Sequence, residues 1–434
     1  MMSSSRESRF ILAALFGLVA MVEAFAQSGG QQGNQYSDLF ESLKPGLFTV
    51  EVVHRASNNK NAQGSAFLVN EDGMLATNYH VVSEYVLDPD RFSLRYRDAE
   101  GETGALKVLD VDVLHDLALV RFSDREPWDA SPFALSESEP RTGETVLALG
   151  NPYDIGISIV PGTYNGLLDN QYRKNIHFTG ALNPGMSGGP AVDTEGRVIG
   201  INVAGAGNSV SFLVPVVELR QLMARATDTP ASLEEMRSRV VERIIDHQAG
   251  MIDELMAGDW SLDAFGPLMI PREIRPWLSC SGSGRETDPE TPWHESHSNC
   301  TLNDRIYLSR TLDTGPVEII FGWYESDELN EFQFARVFQQ TTFMPFNRSG
   351  GDDVTEFECR EGWVSFDNLA PVKFKASYCM RAYLDYPGLY DVLYVARALM
   401  PDSEAMHVHY TLAGIGHDKA LEFHRHLLGT LSWK

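Results

Sequence analysis

The chain has 434 residues, of which 43% are hydrophobic and 22% charged, with a formal net charge of −25. That length suits two or three domains, each able to bury its own core, and the composition is ordinary for a globular protein. The acidic balance argues against nucleic acid and anionic membrane surfaces as partners.

Taken in order, the chain opens with Arg6 and Arg9 ahead of an apolar stretch, 10–22, too short to span a bilayer comfortably. Ala24-Phe25-Ala26 then fits the small-x-small cleavage pattern, so residues 1–26 read as a signal peptide with Gln27 as the mature start. No cysteine stands there to carry a lipid, and no other stretch is apolar enough to cross a membrane. The expectation is an exported chain, periplasmic or secreted, with no stable membrane anchor. Residues 27–44 read as a flexible N-terminal segment, Gln-, Ser-, Gly- and Asn-rich to 37, with a turn or two of helix over 39–43.

Pro45-Gly46 punctuates the chain before the first strand, 47–53. Short strands follow over 66–69, 74–78, 92–97, 105–111, 117–122, 145–149, 158–160, 176–179, 191–193, 198–202 and 210–214. Glu71-Asp72-Gly73 and Asp193-Thr194-Glu195-Gly196 read as hairpin turns, and 216–226 as a short helix. Many short strands with frequent turns favour barrels or sandwiches, so the fold class is mainly β over residues 45–228.

Thr227-Asp228-Thr229-Pro230 marks a boundary. Ser232 and Glu235 then form a capping box, and apolar residues recur at helical spacing from Leu233 to Met256, giving a linker helix within 229–259. The helix can pack on a neighbouring domain, or it can serve self-association into a homo-oligomer. Residues 260–434 read as an α+β module with a weak twofold pattern, possible as a duplication. Strands fall over 305–309 and 317–324 with a helix over 329–338, and then over 381–385, 391–398 and 407–412 with a helix over 419–428.

All four cysteines, Cys280, Cys300, Cys359 and Cys379, lie in that module. An even count in an exported chain suggests disulfides, and the equal spacings favour Cys280 with Cys300 and Cys359 with Cys379 among three connectivities. Zinc is the rival reading, but no CxxC pair supports it. His294 with His297, and His407 with His409, are pairs without a third ligand placed by spacing, so no metal site is assigned.

The chemistry sits in Asn183-Pro184-Gly185-Met186-Ser187-Gly188-Gly189-Pro190. Upstream stand His80, in Thr77-Asn78-Tyr79-His80-Val81-Val82, and Asp116, in His115-Asp116-Leu117-Ala118-Leu119-Val120. A serine hydroxyl needs a base, and the base needs a third group to fix its tautomer; the order His, Asp, Ser is the order of a chymotrypsin-type triad. Glycines beside the serine let the backbone turn sharply and aim N–H groups at a developing oxyanion. Asp112 rivals Asp116 on the same segment.

These motifs resemble the HtrA/Deg-like group of trypsin-fold serine peptidases. The likeness runs through Gly64-Ser65-Ala66-Phe67-Leu68-Val69, Asp72 to Val82, Asp116-Leu117-Ala118-Leu119, Gly185 to Pro190, Gly196 to Asn202 and Phe212 to Pro215, about half the chain. The resemblance implies the two-barrel trypsin fold with the triad between the barrels: Ser187 as nucleophile, His80 as general base and acid, Asp116 as the orienting carboxylate. Asp116 is preferred to Asp112 because Leu117-Ala118-Leu119 follows it as in the family. The resemblance also implies oxyanion donors at the N–H groups of Gly185 and Ser187. Ala181, six before the serine, would sit at the base of the primary pocket beside Leu182, with no acid to pair Lys or Arg, so a small or medium aliphatic residue is expected there. Asn202, Val203 and Ala204 would form the edge on which substrate backbone pairs. Met186 stands where the family usually has asparagine and is expected to alter the subsite beside the scissile bond. The carboxylate-binding loop of a PDZ domain is not found.

The expected protein is thus an exported serine endopeptidase acting on exposed or unfolded polypeptide, with no cofactor. The alternatives are a catalytically silent trypsin-fold scaffold acting through its C-terminal module, and an esterase using the same triad.

Overall fold

A computed structural model describes residues 36–123, 130–207, 210–227, 229, 231–285, 292–340 and 351–434. The expected signal peptide lies outside the described residues. A helix over 36–43 (α1) precedes Pro45, and the chain then enters two closed six-stranded barrels.

The first barrel comprises β1 (Leu47–His54), β2 (Lys60–Leu68), β3 (Met74–Thr77), β4 (Phe92–Arg97), β5 (Thr103–Asp112) and β6 (Leu117–Phe122), in the order β1-β2-β3-β6-β5-β4. Alternation drives it: in β4 Phe92, Leu94 and Tyr96 are buried while Ser93, Arg95 and Arg97 are half-buried on the other face. The second comprises β7 (Thr145–Gly150), β8 (Ser158–Leu167), β9 (Ile176–Phe178), β10 (Pro190–Val192), β11 (Val198–Gly207) and β12 (Val210–Pro215), in the order β10-β11-β12-β9-β8-β7. A core of Leu47, Phe67, Leu149, Val192, Val198 and Val214 locks the barrels together, with Leu219 and Leu222 of α3 (Val216–Arg225) over it.

Two differences from the sequence reading have a physical cause. Strand β2 begins at Lys60, ahead of the expected strand over 66–69, because ladder pairing from Val53–Lys60 to Leu47–Phe67 uses backbone groups and tolerates exposed polar side chains. A helix, α2 (Tyr79–Leu87), begins inside the histidine motif and carries His80; its β-branched run hid it, and Val81, Val82 and Val86 bury its inner face on the first barrel.

Helix α4 (Leu233–Met256) starts on the expected capping box between Ser232 and Glu235. Its first half packs Met236, Val240 and Ile244 into the first barrel's cluster, and its second half packs Met251, Ile252 and Leu255 into the cluster beneath the C-terminal sheet. Beyond β13 (Leu262–Phe265) and β14 (Leu268–Pro271) the chain forms β15 (Ser279–Arg285), β16 (His294–Leu302), a small hairpin of β17 (Ile306–Tyr307) and β18 (Asp313–Thr314), β19 (Val317–Glu325) and α5 (Glu331–Gln340). Then come β20 (Glu358–Ser365), β21 (Lys373–Ala382), β22 (Tyr390–Met400), β23 (Glu404–Ile415), α6 (His417–Thr430) and β24 (Ser432–Trp433). The two expected units do not stand apart. They share one antiparallel sheet of order β15-β16-β19-β23-β22-β21-β20. Disulfides Cys280–Cys300 and Cys359–Cys379 cross its two outermost strand pairs, in place of any zinc ligation. His407 and His409 are each 1% exposed in the central strand β23, packed rather than solvated.

Candidate active site

The site forms where the end of β3, the start of α2 and the loop before β6 meet the Asn183–Gly189 turn of the second barrel. Asp116 adopts φ +53, a left-handed conformation that aspartate tolerates better than most residues. Its carbonyl there accepts the Tyr79 N–H (3.1 Å) and Asn78 Nδ2 (2.7 Å). Its carboxylate meets His80 twice: Oδ1 accepts the His80 backbone N–H at 2.8 Å, and Oδ2 lies 2.5 Å from Nδ1. Burial alone would lower the His80 pKa, but the Asp116 charge and hydrogen bond outweigh it and raise the ring above its ordinary 6.5. The imidazole keeps 31% of its side-chain exposure, so it borders open space.

Asp112, the rival, is 1% exposed and turned elsewhere. It holds Arg243 of α4 (3.0 Å), Arg225 of α3 (3.3 Å) and His115 (3.1 Å). Burial would raise its pKa, but His115 and the two guanidiniums hold it well below the usual carboxylate range. Asp112 ties helices to the barrel, and Asp116 alone orients His80.

Ser187 reaches this corner through close backbone packing. Its carbonyl accepts the Ser65 N–H at 2.7 Å, and a side chain on Gly64 would collide with both Val81 and that carbonyl. Gly185 (φ +98) and Gly188 (φ +85) are glycines of necessity, since a Cβ would stand 2.3 Å from the carbonyls of Asn151 and Ser65 respectively. The Ser187 hydroxyl donates to the Val203 carbonyl at 3.1 Å; among the described residues no hydrogen bond joins it to His80.

The peptide planes on either side of Gly185-Met186-Ser187 are pinned through their carbonyls. Pro184 C=O accepts the Tyr153 N–H (2.8 Å), and Met186 C=O accepts the Gly189 N–H (3.1 Å) and Asn202 Nδ2 (3.3 Å). Because each peptide is planar and trans, fixing those carbonyls fixes the N–H groups of Gly185 and Ser187 on the opposite sides. Among the described residues neither of these two N–H groups donates within the protein.

Two expected pocket residues do other work. Asn202 is 0% exposed; its Nδ2 also binds Leu149 C=O (2.9 Å), and its backbone pairs with Gly188 and Gly189, so it braces the serine turn rather than facing a ligand. Met186 is 0% exposed among Val146, Tyr164, Phe178 and Leu213 in the second barrel's core, so it packs the interior and borders no subsite. Ala181 is exposed and Leu182 half-buried, and the Leu182 carbonyl lies against Gly205 of β11. Val203 is half-buried with its carbonyl at Ser187, and Ala204 pairs with Phe212 across a bulge.

Two closed barrels with histidine, aspartate and serine gathered at their seam define a trypsin-like peptidase domain. Within that class its sequence is similar to that of HtrA and DegP-like serine proteases. The Trypsin-like peptidase domain family matches residues 64–201. Mitochondrial serine protease HTRA2 of Bos taurus is 31% identical over 206 residues, 45% of this chain and 43% of its own length. A probable periplasmic serine endoprotease DegP-like of Rhizobium meliloti is 32% identical over 163 residues, 36% of this chain and 31% of its own. The crystal structure of the serine endoprotease from Yersinia pestis aligns with 44% of this chain and 65% of its own at 23% identity, with a TM-score of 0.38. The chain spans less than half the length of these two curated relatives.

Proposed function

We propose that the protein is an exported serine endopeptidase that cleaves exposed or unfolded polypeptide through an acyl-enzyme, with residues 45–228 as its peptidase domain. The observation that carries this reading is the double hold of Asp116 on His80 beside a serine turn whose two N–H groups remain available. In that reaction the Ser187 hydroxyl leaves the Val203 carbonyl and donates to His80 Nε2. His80 then takes the proton as Ser187 Oγ bonds the peptide carbonyl carbon, and the N–H groups of Gly185 and Ser187 receive the oxyanion. Asp116 stabilises the imidazolium, which returns the proton to the leaving amine; water repeats the sequence and frees Ser187. Ala181, Leu182 and the 203–204 edge form the acyl-side pocket, selecting a small or medium aliphatic residue. The basic-then-apolar N-terminus and the disulfides support export, to periplasm or medium.

The second reading is a catalytically silent scaffold, and the Ser187 hydroxyl resting on Val203 instead of His80 favours it. Labelling by a fluorophosphonate and casein digestion, with Ser187→Ala in parallel, separate the two. Labelling and cleavage lost in the variant support the peptidase; neither in the natural protein supports the scaffold.

A further inference from the structure

Residues 303–314 leave the C-terminal sheet between β16 and β19 and lie across the His80 corner of the first barrel. Ile306, Leu308 and Leu312 are buried in that barrel's own cluster, so the segment is part of its core. Tyr79, the residue before His80, donates its buried hydroxyl to Leu308 C=O at 2.9 Å. Arg310 binds Asn61 C=O (2.9 Å) and Glu84 (3.0 Å) on one side. Asp304 binds the Arg173 N–H (2.8 Å) and guanidinium (2.6 Å) on the other, and Arg173 continues to Leu114 C=O, just ahead of Asp116. Between these anchors Tyr307 is half-buried where its neighbours Ile306 and Leu308 are wholly buried. Its ring meets the His80 ring edge-on at 6.2 Å, and its hydroxyl lies 3.3 Å from Ser83, one turn along α2 from His80.

We propose that Tyr307 is a specificity-determining residue, a wall of the substrate cleft that the C-terminal region lends to the peptidase domain. The inference rests on the peptidase reading above. With the acyl-side residue directed to Ala181 and Leu182, the side chain next to the scissile bond on the His80 side meets the open face of Tyr307. A fixed aromatic face beside a partly exposed imidazole selects apolar side chains that cover it, and gives nothing to a carboxylate. The segment's anchors on both flanks hold the ring in place before substrate arrives, so selectivity costs no loop ordering.

The test is a peptide library varied at each residue flanking the scissile bond, cleaved by the full mature chain carrying Tyr307, Tyr307→Phe, Tyr307→Ala or Tyr307→Trp. Fluorophosphonate labelling rates are measured alongside, since a small probe needs His80 and Ser187 but no wall. We expect Tyr307→Ala to flatten kcat/KM differences at one flanking position by about tenfold, the scale of a lost apolar contact, with labelling unchanged. Tyr307→Phe should keep the preference, and Tyr307→Trp, which retains a ring if the alanine variant folds poorly, should shift it toward smaller side chains. An unchanged preference order in all three variants, with any loss uniform across the library, overturns the proposal while leaving the peptidase reading intact. No labelling and no turnover in the natural chain overturns both.

Discussion

Asp116 and His80 are joined at two points, carboxylate to ring at 2.5 Å and carboxylate to backbone N–H at 2.8 Å, so the start of α2 holds the carboxylate in place against the ring. Asparagine at position 116 would keep the left-handed backbone and one acceptor but would present the wrong partner to Nδ1. Asp116→Asn should therefore fold normally and lose roughly 10⁴-fold in kcat, the scale seen when a triad carboxylate becomes an amide. Peptide turnover and a melting curve on the same sample check both halves; a loss below about tenfold would remove Asp116 from the triad.

The same contact sets the pH dependence. His80 acts as a base only when neutral, and its pKa is raised because Asp116 overcomes the effect of burial. Activity should rise with pH through a midpoint above 6.5. In Asp116→Asn only the burial remains, so the midpoint of the residual activity should fall below 6.5. A natural midpoint at or under 6.5 contradicts the assignment.

The strands, the turn glycines beside Ser187 and the cysteine pairs were legible because each rests on a local pattern: alternation, glycine at a forced turn, equal cysteine spacing; that the strands close as two barrels with Asp116 on His80 followed from the family resemblance. What failed was depth. Asn202 and Met186 lie in motifs that read as pocket, yet both are buried braces, and a sequence does not say which face of a turn is inward. Tyr307 carried no signal because 224 residues separate it from Ser83, its contact on α2, and only the fold brings them together.

Asn202 links stability to the turn that carries Ser187. Its amide holds Leu149 C=O and Met186 C=O, and the second belongs to the peptide whose N–H is that of Ser187. Asn202→Ala takes the Nδ2 donor from both buried carbonyls, leaving Met186 C=O only its bond from the Gly189 N–H, at a cost of about 1–3 kcal/mol. It also loosens that peptide plane, so kcat should fall while KM for a short peptide stays nearly constant. Urea unfolding and steady-state kinetics report the two effects; an unchanged kcat with lowered stability would make Asn202 a packing residue only.

Arg173 and Asp304 join the second barrel to the C-terminal region with side chains 12% and 7% exposed. Removing one partner strands the other in a poorly hydrated site. Asp304→Ala should cost about 3–5 kcal/mol of stability and expose the 303–314 segment to limited proteolysis. Denaturant midpoints and cleavage mapping of the full chain give the answer. Stability within 1 kcal/mol of the natural chain, on the order expected of an exposed pair, would show that the contact contributes little.

Acid should unfold the C-terminal sheet before it protonates most carboxylates. His409, 1% exposed in β23, has its pKa pushed down to about 4 by burial, and His407 beside it is also held well below its ordinary value by burial, His297 and His409. In the unfolded chain both return to about 6.5, so as pH falls the unfolded state takes protons that the folded state refuses. Stability is then full above pH 6.5 and declines below it; His409 alone would account for about 3 kcal/mol by the time pH reaches its folded value near 4. His409→Gln keeps a partner for Thr411, which now lies 3.2 Å from His409 Nε2, and cannot titrate. Urea midpoints measured from pH 8 to pH 4 should therefore fall less steeply for His409→Gln than for the natural chain. Parallel slopes would mean that this histidine is protonated equally in both states and that acid acts on other groups.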